Sequence, residues 1–141
     1  MKKKIMTIIA VFVLVFAFAT SALAANPYSF SSSSCYKTFI TSGSLTKSTS
    51  QTWTRFTVAV GSLTYTGTQF SYLYARPQGT DGTLYASKKT VSSGGSSNFT
   101  PNTSGSSANT VKVKLYNADY EENSIETNKM TTSGSVSGLY S

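Results

Sequence analysis

The stretch from Gln69 to Val91 constrains the fold most, because it reads as two extended runs around a turn. Phe70, Tyr72 and Tyr74 alternate with Ser71, Leu73 and Ala75, the period-2 pattern of a strand whose successive side chains point to opposite faces. The return run sets Leu84, Ala86 and Lys88 against Tyr85, Ser87 and Lys89. Between them Pro77 lacks a ladder donor, and Asp81-Gly82 supplies residues that tolerate a tight turn. Two closures fit: a wide loop between Arg76 and Thr83, or a tight turn between Thr80 and Thr83. The two registers differ by an even shift, so either one predicts Phe70, Tyr72, Tyr74 and Tyr85 on one face. Leu73, Ala75, Leu84 and Ala86 are then expected on the other.

Alternating runs recur along the chain. Tyr28 to Phe30 reads as a short edge strand, and Cys35 to Thr41 as a strand setting Cys35 and Phe39 against Tyr36 and Ile40. Trp53 to Leu63 is the clearest strand, with Phe56, Val58 and Val60 on one face. In the segment Thr110 to Asn117, Val111, Val113 and Leu115 are expected inward, with Lys112, Lys114 and Tyr116 outward. A last strand is read from Ser133 to Tyr140. Loops are expected at 42–52, at 93–109 (where only Phe99 offers an anchor) and at 118–132. Thr, Tyr and Val suit pleated surfaces, Gly and Ser clusters mark turns, and helical periodicity is nearly absent. The fold class expected is an all-β antiparallel sandwich, Ig-like or jelly-roll-like, preceded by a helical signal peptide. Its core should include Val58, Val60, Leu73, Val111, Val113 and Leu115.

That N-terminal segment carries its own pattern. Lys2, Lys3 and Lys4 precede a nearly uninterrupted apolar run from Ile5 to Ala19, and Ala22-Leu23-Ala24 offers small residues where a signal peptidase reads them. The expected organisation is a signal peptide at 1–24 and one secreted domain at 25–141, with no stable membrane anchor. Loss of the three lysines leaves nine basic and five acidic side chains, a surplus of four. Such a surface suits an anionic wall polymer or simply a solvated exterior.

The residue types present limit the chemistry. The chain has no histidine and one cysteine, Cys35. The usual general base, the Ser-His-Asp and Cys-His arrangements and any multi-thiolate zinc site are therefore absent. No glycine-rich phosphate loop opens a helix, so neither nucleotide nor other cofactor is expected. The five acids are Asp81, Asp119, Glu121, Glu122 and Glu126. Asp81 is explained by its turn. The cluster at 119–126, with Asn117 and Asn123, offers oxygen ligands but lacks the spacing and glycine of an EF-hand, so no metal site is assigned. Cys35 either packs as a small buried hydrophobe in a monomer or links two chains as a dimer.

The sharper candidate is the aromatic stripe. Phe70, Tyr72, Tyr74 and Tyr85, flanked by Arg76 and Lys89, form a row that either stacks on a ligand or belongs to a core covered on both sides. Trp53, at a strand entrance, reads as a core plug.

Taken together, the signal segment, Trp53 opening a strand, the FSYLYA run, SSANTVKVKLYNADYEEN and the terminal SGSVSG resemble a group of small secreted proteins of Gram-positive bacteria that share a domain of unknown function. More loosely the chain is similar to the lactococcin-972-like bacteriocins, although the histidines and paired tyrosines typical of those are missing as a set. The first resemblance implies a secreted β-domain and brings no site residues; the second implies antibacterial activity. The expected function is a non-enzymatic, extracellular binding module for cell-wall polymer, polysaccharide or a surface protein, with no nucleic-acid partner. The alternative is a bacteriocin-like or membrane-active antibacterial protein.

Overall fold

The computed structural model describes residues 23–67 and 70–141. The expected signal helix lies outside them except for Leu23 and Ala24. Two antiparallel sheets pack face to face. In the first, β10 (Met130–Tyr140) is flanked on one side by β1 (Leu23–Ala24) and β2 (Tyr28–Cys35) and on the other by β5 (Trp53–Tyr65). The strand β8 (Ser96–Phe99) closes that sheet beside β5. In the second, β9 (Thr110–Tyr116) carries β3 (Thr38–Ile40) and β4 (Leu45–Thr46) along one edge. Its other edge pairs with β6 (Tyr72–Gln78), which in turn pairs with β7 (Lys89–Ser92). Two short helices, α1 (Thr103–Ser107) and α2 (Ala118–Asn123), complete the described residues.

The core lies between the sheets. Phe56 and Val58 of β5, Leu73 and Ala75 of β6, and Val111, Val113 and Leu115 of β9 are fully buried, and Val60 nearly so. All six residues expected in the core are there. Trp53 plugs one end: its indole packs on Phe56 and Tyr140 at centroid distances of 5.3 and 5.4 Å and donates from Nε1 to the Ala108 carbonyl at 2.7 Å. That partner is what makes a buried indole N–H tolerable. Facing it, β10 approaches closely because it carries glycine. A Cβ on Gly138 would sit 2.6 Å from the Trp53 ring, and one on Gly134 would sit 2.0 Å from the Ala59 carbonyl oxygen.

Several expected boundaries shift. The run Cys35 to Thr41 is not one strand: Cys35 ends β2 in the first sheet, a bend at Tyr36-Lys37 follows, and β3 joins the second sheet. The four serines at 31–34, which have no strand propensity of their own, extend β2 by pairing with β10. The expected loop at 42–52 holds β4, whose Leu45 is fully buried, and the loop at 93–109 holds β8 and α1. Within 118–132, α2 forms because the Asn117 side chain accepts from the amides of Asp119 and Tyr120 as its N-cap, while β10 begins at Met130.

The hairpin register is the consequential correction. Gln78 bridges Leu84, and the loop between them is held by Gly79 N–H on the Thr83 carbonyl (2.8 Å) and Thr83 N–H on the Asp81 carboxylate (3.0 Å). Beyond an irregularity at 86–88, Ala75 pairs with Lys89 and Tyr72 with Ser92. These pairings are an odd number of residues away from both expected closures, and an odd slip inverts the faces of the return run.

Candidate functional site

With Leu73 and Ala75 buried between the sheets, period-2 alternation turns Tyr72, Tyr74 and Arg76 to the outer face of the second sheet. The stripe is therefore not core. Phe70 continues it before β6, and the rings follow one another edge to face: Phe70–Tyr72 at 5.4 Å and Tyr72–Tyr74 at 5.7 Å, with interplanar angles of 85° and 84°. All of these side chains are half-exposed.

Two residues expected in the stripe are elsewhere. Tyr85 aligns with Pro77, packs against the core and reaches toward Gly79 and Asp81 at the hairpin end. Lys89 lies opposite the buried Ala75 at the seam between the sheets, donates to the Asn98 carbonyl at 2.7 Å and covers the Phe99 ring. Both displacements follow from the inverted register.

In their place the neighbouring strand supplies partners. Tyr116 stands opposite Tyr74, Lys114 opposite Arg76 and Lys112 opposite Gln78, on the same outer face. Lys88, expected on the other side, arches over the rings of Tyr74 (4.9 Å) and Tyr116 (5.2 Å), and Lys114 also covers Tyr116 (5.2 Å). Such contacts contribute about 0.5–1 kcal/mol at exposed sites. The alternation in TVKVKLYN already turns these residues outward; that β9 lies beside β6 is a tertiary fact no local pattern carries.

The helix α2 sits at the β9 end of this face. Glu121 pairs with Lys88, and Glu122 accepts hydrogen bonds from the hydroxyls of Tyr72 (3.4 Å) and Tyr74. The Glu122 bond, with smaller help from desolvation, pushes the Tyr74 phenol up to about 12. Desolvation, then the same carboxylate, raises Tyr72. Beneath the helix is a knot of amides. Asn117 Nδ2 donates to the carbonyls of Cys35 (3.0 Å) and Asn128 (2.8 Å), while the buried Asp119 carboxylate accepts from Asn123 (2.8 Å) and Asn128 (2.5 Å). These oxygens are occupied by N–H donors, and among the described residues no three His, Cys, Asp or Glu side chains converge as metal ligands.

Asp81, whose oxygens accept from Thr83, lies at the far end of β6 from α2. A seven-residue strand spans roughly 20 Å, well beyond the about 5–9 Å that a hydrolytic carboxylate pair needs. Cys35 is buried with its thiol pushed up to about 11 by desolvation, so a chain-to-chain disulfide needs the end of β2 to peel away. A shallow cavity of about 420 Å³ on the outer face of the first sheet is lined by Ala59, Gly61, Gly95, Ser96, Gly134 and Ser135, among others, with no titratable group. No helix among the described residues is long and apolar enough to cross a membrane. Comparison with family models, with curated proteins and with solved structures finds no match for this chain.

Proposed function

We propose that the chain is a secreted, non-enzymatic binding module whose outer β6–β9 face holds a carbohydrate-containing polymer of the cell surface or matrix. The observation that carries this reading is the half-exposed row Phe70–Tyr72–Tyr74, widened by Tyr116, crossed by Lys88 and bordered by Arg76 and Lys114. Contiguous exposed aromatics, unlike apolar side chains scattered singly over a surface, are the kind of patch that marks a recognition site. The rings stand edge to face rather than coplanar, so the surface suits a flexible chain wrapped among phenols more than a flat crystalline lattice. Secretion rests on the lysine-led apolar segment at 1–24, and the absence of catalysis on the missing histidines and the occupied carboxylates.

Retention on purified Gram-positive cell wall, followed by a wash in high salt, tests this. Tyr74→Ala and Tyr116→Ala should each weaken retention by about 1 kcal/mol or more while the thermal melt shows a folded domain. Wild-type protein that passes through every wall preparation unretained overturns the reading.

A second reading, a membrane-active antibacterial protein, draws on Ile40 opposite Lys114 and Leu84 opposite Gln78, both exposed beside the basic residues. Apolar tips next to cations suit an anionic bilayer surface. Dye release from phosphatidylglycerol vesicles and a growth-inhibition halo test it, and silence in both at micromolar protein removes it.

A further inference from the structure

We infer that the occupant of this face is an anionic polymer, a chain carrying phosphodiester or carboxylate charges, whose anion seats among Arg76, Lys112 and Lys114; the inference rests on the binding reading above. A local conflict of charge marks the place. Arg76 and Lys114 are directly opposed across the β6–β9 ladder, and Lys112 follows two residues along the same face. Like charges opposite each other destabilise a sheet, since directly opposed side chains stand about 5 Å apart at Cβ.

The conflict is not neutralised within the domain. Among the described residues the two ion pairs are Lys37–Glu126 and Lys88–Glu121, and neither involves these three cations. Arg76 donates from Nε to the Ala86 carbonyl at 3.2 Å, which fixes the guanidinium plane and, among the described residues, leaves its Nη donors without a side-chain acceptor. Lys112 reaches the Ser42 carbonyl only at 3.4 Å, and Lys114 leans on the Tyr116 ring. A sequence that opposes two cations without a counter-charge violates a local rule that functional sites are where chains tend to break.

The tyrosine half of the same face behaves in the opposite way. There Lys88 meets Glu121, and the hydroxyls of Tyr72 and Tyr74 meet Glu122. The face is thus divided along the strands into an end satisfied by α2 and an end that lacks an anion. The lysines on β9 repeat at two residues, about 6.6 Å, so they can follow successive charges or bracket one. A polymer whose anion lies between Arg76 and Lys114 brings its polyol or sugar part beside Tyr74 and Tyr116, whose rings Lys88 crosses. A guanidinium fork donates to a phosphodiester or a carboxylate alike.

The test uses the secreted chain and four variants: Arg76→Gln/Lys114→Gln, Lys112→Gln, Lys114→Glu, and Tyr74→Ala/Tyr116→Ala. Probes are poly(glycerol phosphate), polygalacturonate, an uncharged glucan, a single-stranded oligonucleotide and phosphatidylglycerol vesicles. Poly(glycerol phosphate) or polygalacturonate should bind with a log–log salt slope of about −2, as expected for release of counterions from roughly three contacts, and the stronger of the two identifies the anion. Arg76→Gln/Lys114→Gln should weaken that binding about tenfold and flatten the slope. Lys114→Glu should abolish it and raise the melting temperature, because it turns the opposed pair into a salt bridge; Lys112→Gln supplies the same binding readout if the double variant folds poorly. Salt-insensitive binding of the uncharged glucan, lost only in the tyrosine variant, overturns the anion inference and keeps the face. Binding unchanged in all four variants overturns both. Tighter binding of oligonucleotide or vesicles than of either wall-type polymer also overturns the anionic-polymer inference.

Discussion

At the scale of single residues, the tyrosines divide by what surrounds their hydroxyls. Tyr28 and Tyr65 are pushed up to about 12 mainly by burial, whereas Tyr74 reaches about 12 mainly through its bond to Glu122. Each is raised in the folded state, so the stability it contributes is complete below its unfolded value near 10 and is lost as pH rises through about 12. Cys35, raised from 9.0 to about 11, begins the same loss one unit lower. Stability should therefore hold at neutral pH and fall from about pH 9 upward, with the half-buried Tyr28 and Tyr65 keeping their protons in the folded domain until about pH 12. Glu122→Gln separates the causes. In that variant Tyr74 should titrate closer to 10 in an ultraviolet titration while Tyr28 and Tyr65 stay put. A Tyr74 titration unmoved by the change would show that Glu122 is not its partner in solution.

Among the elements, α2 depends on one amide. Asn117 is fully buried, caps the helix, and ties it to the carbonyls of Cys35 and Asn128. Asn117→Ala should cost about 2–3 kcal/mol, more than a surface cap, because it strands buried backbone groups as well as the helix start. A chemical-denaturation midpoint checks this, and loss of the Tyr74 shift should accompany it as Glu121 and Glu122 leave the face. The sequence hid this helix for a physical reason: six residues following one Asn carry too little periodicity to stand out from a loop. By contrast β5 and β9 were legible, since burial of a single face writes itself as Phe56-Val58-Val60 and Val111-Val113-Leu115. The hairpin was legible as a hairpin and illegible in register. Both faces of its strands carry apolar side chains, so the hydrophobic pattern does not choose between parities. Tyr85 and Lys89 were misplaced for that reason, while Tyr72, Tyr74 and Arg76, fixed by β6 alone, were read correctly as sharing a face. Tyr116 and Lys114 needed the neighbour relation of β6 and β9, which only the folded sheet supplies.

For the molecule as a whole, the first and last strands meet. Tyr28 of β2 pairs with Val136 of β10, and β1 continues the same edge, with Leu23 opposite Tyr140 and Ala24 opposite Leu139. Strands β1 and β2 therefore dock on β10, a long-range pairing that local contacts do not drive. The expected cleavage after Ala24 falls within this edge, and the burial changes there within one residue. Leu23 and Ala24 are exposed, whereas Ala25 is 3% exposed and donates its N–H to the Gly138 carbonyl at 2.8 Å. Of the described residues, removing 1–24 thus takes away only the exposed Leu23 and Ala24 and leaves the buried Ala25 seated, its new ammonium still able to donate to Gly138. A chain starting at Ala25 should melt within a few degrees of one starting at Leu23. A chain starting at Tyr28 loses the Ala25 contact and the Gly138 hydrogen bond, and should be less stable by about 1–2 kcal/mol. It also bares the β10 edge at Gly138, extending the stretch at Leu139 and Tyr140 that loss of Leu23 and Ala24 has already left unpaired, where open backbone invites association with another chain. Melts and sedimentation of the three chains measure both effects, and the mass of protein recovered from culture medium fixes the natural start. A secreted form beginning after Pro27, or equal stability in all three chains, would sink the proposed seat of Ala25.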